Sequence, residues 1–188
     1  MLQNRTDDGK FIIYFGALSA PKGMAIKMSN SCVITVPDYR KNHSIPGIYI
    51  HSRGDYAFVE CFCEYCKMQD FRSPDEDNIG LARLTQVLAN YFSEGLTVSV
   101  CESGSFMTDH GVYMIKDWKI HDWVHDGWYG ENEKPVSFDE KSKIIFLQEI
   151  NEKQPLWMML TDEYIEEWVK KELKAETIKY FKDSIIKK

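Results

Sequence analysis

In "IHDWVHDGW", residues 120–128, two histidines stand four apart and each is followed by an aspartate. Residues four apart are neighbours on a helix. Metalloproteases use that spacing with a glutamate general base directly after the first histidine. Here Asp122 holds that place, one methylene shorter, while Gly127 and Gly130 oppose a stable helix. On a strand His121 and His125 would share a face but lie roughly 13 Å apart, too far for one ion. The residue types suit an exposed or half-exposed loop that touches a protein partner. Its contact residues would be Trp118, His121, Trp123, His125, Trp128 and Tyr129.

A second cluster is "CFCEYC", with Cys61, Cys63 and Cys66. Zinc takes four ligands in a tetrahedron, usually from two paired Cys-x-x-Cys knuckles, and one half is visible here. A strand would put Cys61 and Cys63 on one face; a helix would bring Cys63 and Cys66 together and turn Cys61 away. Only an irregular knuckle would gather all three, with Cys32, Cys101 or His51 as fourth ligand. Free thiols buried as small hydrophobes are the expected state, and no metal or cofactor is implied.

The third is "HSRGDY". His51, Arg53 and Asp55 at a strand end offer a base, an anion clamp and a carboxylate, and His110 is a further candidate. The same residue types also make an ordinary polar turn. The chain has no Gly-rich phosphate loop and no Gly-x-Ser-x-Gly elbow.

The elements that must position these groups follow from periodicity. "FIIYFGAL" reads as a buried strand and "AIKMSNSCVITV" as a hairpin from Ala25 to Val36, with Pro37 and Pro46 bracketing a polar loop. "GIYIHS" is a further strand, closed by Arg53-Gly54-Asp55. Residues 57–70 fit helix and strand equally. Leu81, Leu84, Leu88 and Tyr91 predict a helix with Asn78 as N-cap and Gly95 as its end. "LTVSVC" and "VYMIKDWKI" predict two paired strands, and "KIIFLQEI" another. A long amphipathic helix capped by Thr161 or Asp162 ends the chain. The expected fold is α+β: a mostly antiparallel sheet of six to eight strands with one packed middle helix and a C-terminal helix. One domain is expected over residues 1–188, with residues 161–187 the sole candidate for an appendage.

Composition bounds the function. The 188 residues suffice for one core. Aromatic residues make up 13%, including five Trp and ten Tyr, which enrich at interfaces as well as in cores. A net charge of −6 gives no global attraction to phosphate backbones and excludes a general nucleic-acid binder. No apolar run approaches the ~20 residues of a membrane span. Five Cys without a signal peptide point to a reduced cytoplasm.

Three stretches in order, "GIYIHSRGDY", "LTQVLANYF" and "GVYMIKDWKI", resemble small uncharacterised proteins of tailed phages and prophages. That pattern runs Ile-Tyr-x-His-x-x-Gly-Tyr, then a helix ending in Tyr, then a late strand with Tyr and Trp. The chain departs from it at Asp55, which follows Gly54 where the pattern has Asp before the glycine, and in the Cys-rich segment. The resemblance covers about half the chain, implies viral origin, and carries over no catalytic residue. Two functions follow from this reading. The first is a non-catalytic accessory protein that binds or blocks a host protein, such as a defence factor, in the host cytoplasm. The alternative is a small hydrolase or nucleotide-directed enzyme using His51, Asp55 and His110.

Overall fold

A computed structural model describes residues 4–5, 11–12, 30–40, 45–93, 98–102, 108–124 and 135–186. In chain order these form β1 (Asn4–Arg5), β2 (Phe11–Ile12), β3 (Cys32–Thr35), β4 (Pro46–Ile50), α1 (Tyr56–Met68), α2 (Asn78–Tyr91), β5 (Val98–Glu102), β6 (Val112–Lys116), β7 (Lys119–Val124), α3 (Glu140–Glu152) and α4 (Asp162–Ile186). Short 3₁₀ turns lie at Pro37–Arg40 and Leu156–Met158. The class is α+β. Among the described residues the main sheet has five strands in the order β5-β4-β3-β6-β7, and β1 pairs β2 separately.

The sheet is mixed rather than mostly antiparallel, because β3 and β6 run parallel at its centre. Their inner positions, Val33, Ile34, Val112, Tyr113 and Met114, are buried on both faces, as parallel strands require. The expected pairing of "LTVSVC" with "VYMIKDWKI" is corrected: β5 pairs β4, and the second stretch is itself a hairpin, β6 with β7. Its turn residues Asp117 and Trp118 both have positive φ, 50° and 55°, the signature of a type I′ turn. A tryptophan is strained there. Tertiary bonds hold it: Trp118 donates its ring N–H to Phe71 O at 2.6 Å and its amide to Ser73 Oγ at 3.2 Å. The hairpin expected from Ala25 to Val36 is also corrected, since the partner of β3 across the antiparallel side is β4; residues 25–29 lie outside the described residues.

Residues 56–68 are helical, and their ambiguity has a physical cause. α1 packs against α2, α3 and β7 and leaves no residue exposed, and its apolar residues fall at alternate as well as helical positions, so both periods fit. The strand expected at "KIIFLQEI" is the middle of helix α3. Asp139 caps that helix by accepting the Ser142 amide at 2.8 Å. Its buried residues Phe146, Leu147, Ile150 and Asn151 follow helical spacing, which outweighs the strand preference of Ile144-Ile145. α2 is present where expected, with Phe92 at its C-terminal end, and Gly95 lies outside the described residues. Its cap is one residue earlier, Asp77 accepting from the Ile79 and Gly80 amides. Gly80 is needed there, because a Cβ would meet Arg72 O at 2.4 Å. At the start of α4 the Thr161 hydroxyl accepts the Tyr164 amide. Ile165 and Val169 of α4 are buried in the same core as Leu84, Leu88, Phe62 and Ile150. Among the described residues no helix is long and apolar enough to cross a membrane.

Candidate functional site

The starts of β3 and β6 and of α1 converge at one end of the sheet. Parallel pairing of β3 with β6 sets Asn30-Ser31 beside Asp109-His110, and the Ser31 carbonyl accepts the His110 amide at 2.9 Å. Asp109 Oδ2 accepts from both the amide and the hydroxyl of Ser31, at 3.1 and 3.0 Å. Asp55 closes the junction from the N-terminus of α1. Its Oδ2 accepts from Asn30 Nδ2 at 3.1 Å, and its Oδ1 lies 3.5 Å from His110 Nε2. Gly54 permits this approach: its amide donates to Asn30 O at 2.7 Å, and a Cβ would meet backbone atoms of Asn30, Ser31 and Cys32 within 3 Å.

Of the four residues His51, Arg53, Asp55 and His110, the structure brings together only the last two. His51 is exposed and its Nδ1 faces the Tyr49 hydroxyl at 3.0 Å. Arg53, at φ 57°, turns the other way. Its guanidinium lies over the rings of Phe58, Tyr91 and Phe146 and pairs with Glu149 at 3.3 Å. The Tyr91 hydroxyl donates to the same Glu149 oxygen at 2.6 Å. Burial first, and then that hydrogen bond, push the Tyr91 phenol above its usual range. Arg53 is thus a staple between the α1 entry and α3, not an anion clamp beside Asp55. What remains is a carboxylate–imidazole pair without a nucleophile among the described bonds, since the Ser31 hydroxyl is held by Asp109. Such a pair can move a proton.

Cys61, Cys63 and Cys66 are all fully buried on α1, as is Cys32 on β3. Burial holds each thiol protonated: it pushes Cys61 up to about 12 against the pull of Lys143, and it raises Cys32, Cys63 and Cys66 as well. A metal ligand must be a thiolate. Among the described residues no three His, Cys, Asp or Glu side chains are placed to hold a metal ion.

The opening stretch is only partly described. Ile120–Val124 belong to β7, so these residues are strand and not loop; His125, Trp128 and Tyr129 lie outside the described residues. His121 points to solvent. Trp123 is half-buried, stacked on Tyr113 at 5.4 Å with its ring N–H donated to His110 O. Trp118 is 6% exposed and anchors the hairpin turn. A buried turn anchor cannot be a surface contact, so Trp118 leaves the expected partner-binding set.

The largest exposed apolar group among the described residues is one that sequence reasoning missed. In "QPLWMML" Leu156 is 87% exposed and Trp157 63%, and Met159 is exposed as well. Apolar side chains this exposed would be unremarkable on a loose loop, but this segment is clamped. Met158 is buried, and its carbonyl accepts from the Tyr65 hydroxyl at 2.8 Å and from Gln69 Nε2. Asn151 brackets Leu160, accepting its amide at 2.7 Å and donating to its carbonyl at 2.8 Å. Buried Gln154 donates to Val87 O and Ile150 O. The Arg83 guanidinium lies 5.9 Å from the centre of the Trp157 ring. Two large apolar side chains are therefore held outward on a turn fixed from below by buried amides and a phenol. No family model, no curated protein and no solved structure matches this chain.

Proposed function

We propose that the protein is a non-catalytic interaction protein whose described contact surface is the Leu156–Trp157 turn. The observation that carries this reading is the combination of exposure and fixation in that turn. Binding energy concentrates in a few large side chains, Trp above all, and is greatest where the bound conformation is prepaid. Here the backbone beneath Trp157 is tied at Met158 and Leu160 to α1 and α3, so little ordering remains to be done on contact. Arg83 supplies a polar rim. The resemblance to phage and prophage proteins supports a host protein as the partner class, with His121 and Trp123 of β7 and the segment that holds His125, Trp128 and Tyr129 as a second contact region.

The test compares wild-type protein with a Leu156→Ala/Trp157→Ala variant, each immobilised in bacterial lysate, with captured proteins quantified by mass spectrometry. Truncating a true anchor weakens binding about 30-fold or more. A protein enriched on wild type, lost from the variant and rebinding purified wild type is expected. Identical capture by both would refute the anchor.

The Asp55–His110 contact favours a second reading, an enzyme that moves a proton at that junction. Asp55→Asn keeps the Asn30 contact and removes the charge. If a hydrolytic activity found in purified protein disappears in Asp55→Asn while the 156–157 variant retains it, this second reading replaces the first.

A further inference from the structure

A cavity of about 180 Å³ opens between α1, the β6–β7 hairpin, α3 and the first half of α4. Its apolar wall is Trp118, Ile120, Val169 and Leu173. Its charged wall is built by four elements. Glu60 and Glu64 stand one helical turn apart on the same face of α1, and Lys143 faces them from α3. Lys119 of β7 and Glu172 of α4, itself paired with Lys67 at 3.2 Å, complete it.

Lys143 is the telling group. Its side chain is 13% exposed, yet its nearest described acceptor, Glu60 Oε2, lies at 3.7 Å. That is an ion pair but too long for a hydrogen bond. An ammonium carries three donors, and with Glu60 too far for a hydrogen bond they are left to solvent in the mouth of the cavity. A ligand oxygen in the cavity would take the place of that water. The glutamates are differently placed: Glu60 accepts from Ser137 Oγ at 3.2 Å and Glu64 from the Trp168 ring N–H. Each carboxylate has further lone pairs, roughly four sites in all, to offer a cation.

The cavity thus presents a positive and a negative group side by side, 3.7 Å apart, next to an apolar wall. A free α-amino acid carries the matching pattern: a carboxylate and an ammonium on one carbon, next to a side chain. The volume lies below the roughly 300–1,000 Å³ of sites that take drug-sized ligands, which selects a small metabolite. We propose that this cavity binds a free α-amino acid with an apolar side chain. Its carboxylate sits on Lys143, its ammonium on Glu60 and Glu64, and its side chain against Trp118 and Leu173.

Titration calorimetry on the full chain tests this with L-leucine, L-methionine and L-phenylalanine as probes. Saturable one-to-one binding of at least one is expected. N-acetylation, which removes the ammonium, and amidation, which removes the carboxylate, should each weaken it about ten-fold or more. Leu173→Trp should fill the cavity and abolish binding, and in Lys143→Met the acid and its amide should bind alike. Should Lys143→Met fail to fold by near-ultraviolet dichroism, the comparison of acid, amide and N-acetyl forms on wild type decides alone. The proposal is overturned if no probe saturates below about 10 mM, if the amide binds wild type as tightly as the acid, or if Leu173→Trp binds unchanged. A dipeptide such as Leu-Gly binding as tightly as leucine would also overturn it, because the site would then be reading a peptide terminus.

Discussion

Replacing Asn151 by alanine removes two hydrogen bonds to Leu160 and a share in the Tyr65 hydroxyl proton, which Met158 O also takes. The side-chain oxygen accepts from the Leu160 amide at 2.7 Å and the Tyr65 hydroxyl at 2.9 Å, and the amide nitrogen donates to Leu160 O at 2.8 Å. After truncation the two backbone groups of Leu160 have lost their partners, whereas the Tyr65 hydroxyl keeps Met158 O at 2.8 Å. An unpaired buried group costs ~1–3 kcal/mol, and Leu160 is only partly buried, so the lower half of that range applies to each backbone group. For the two groups together the expected loss is about 2–4 kcal/mol. For a chain of this size it lowers the melting temperature by roughly 5–15 °C. Tyr65→Phe should cost about 1 kcal/mol, because Gln69 still serves Met158 O. Trp157→Ala, at an exposed position, should stay within about 0.5 kcal/mol. Urea unfolding followed by far-ultraviolet dichroism measures all three, provided the slope with denaturant is unchanged. A loss below about 1 kcal/mol for Asn151→Ala, or a larger loss for Trp157→Ala than for Asn151→Ala, would refute the claim that a buried network holds an exposed anchor.

Leu84 and Leu88 on α2 are fully buried, so alanine at either should cost ~2–5 kcal/mol in the same assay. With four cysteines buried and their thiols held protonated, an aromatic disulfide reagent at pH 8 should label no more than one of the five native thiols quickly; rapid labelling of two would contradict their burial. Acid should destabilise the helix starts. The Arg72 guanidinium, with the Gly80 and Ile79 amides, holds Asp77 below the usual carboxylate range, and the Ser142 amide does the same for Asp139. For Asp75 burial acts upward but is outweighed by bonds from Ser73 and the Asp117 amide. Stabilisation by a depressed carboxylate is complete above the unfolded value near 4 and is lost as pH falls through the lower folded value. Melting temperature should therefore drop below about pH 4, and less steeply in Asp139→Asn than in wild type.

Legibility in the sequence tracked how one-sided each element is. α2 and the described first half of α4 each bury one stripe, and their starts could be read to within a residue. α1 leaves no residue exposed, and the apolar residues of "YAFVECFCEYCKM" fit an alternating period as well as a helical one, so neither could be chosen. In α3 the adjacent β-branched Ile144 and Ile145 carry a strand preference, which the Asp139 cap and the helical spacing of Phe146, Leu147 and Ile150 outweigh. The β3–β6 parallel pair could not be read at all. Pairing between segments almost eighty residues apart leaves no local mark, and it is this pairing that brings Asp109-His110 to Ser31 and Asp55. His51 and Arg53 stand in the same tetrad by sequence, but the left-handed backbone at Arg53 sends that side chain to the opposite side.

The exposed turn shows the same limit from the other direction. "PLWMML" is as apolar as a core segment, and residue type alone assigns it to one. What sends Leu156 and Trp157 outward while Met158 goes in is the direction set by three polar side chains, Tyr65 and Gln69 from distant α1 and Asn151 from the end of α3. A buried amide and phenol there add little net stability over apolar replacements of the same shape, since each hydrogen bond replaces one with water. What they add is a single orientation for the turn. An apolar core beneath it could repack in several ways; paired donors and acceptors accept one. That specificity matters for a surface that must present two large side chains in a fixed attitude. It also explains why the polar network lies beneath the most exposed apolar pair of the described chain rather than elsewhere in the core.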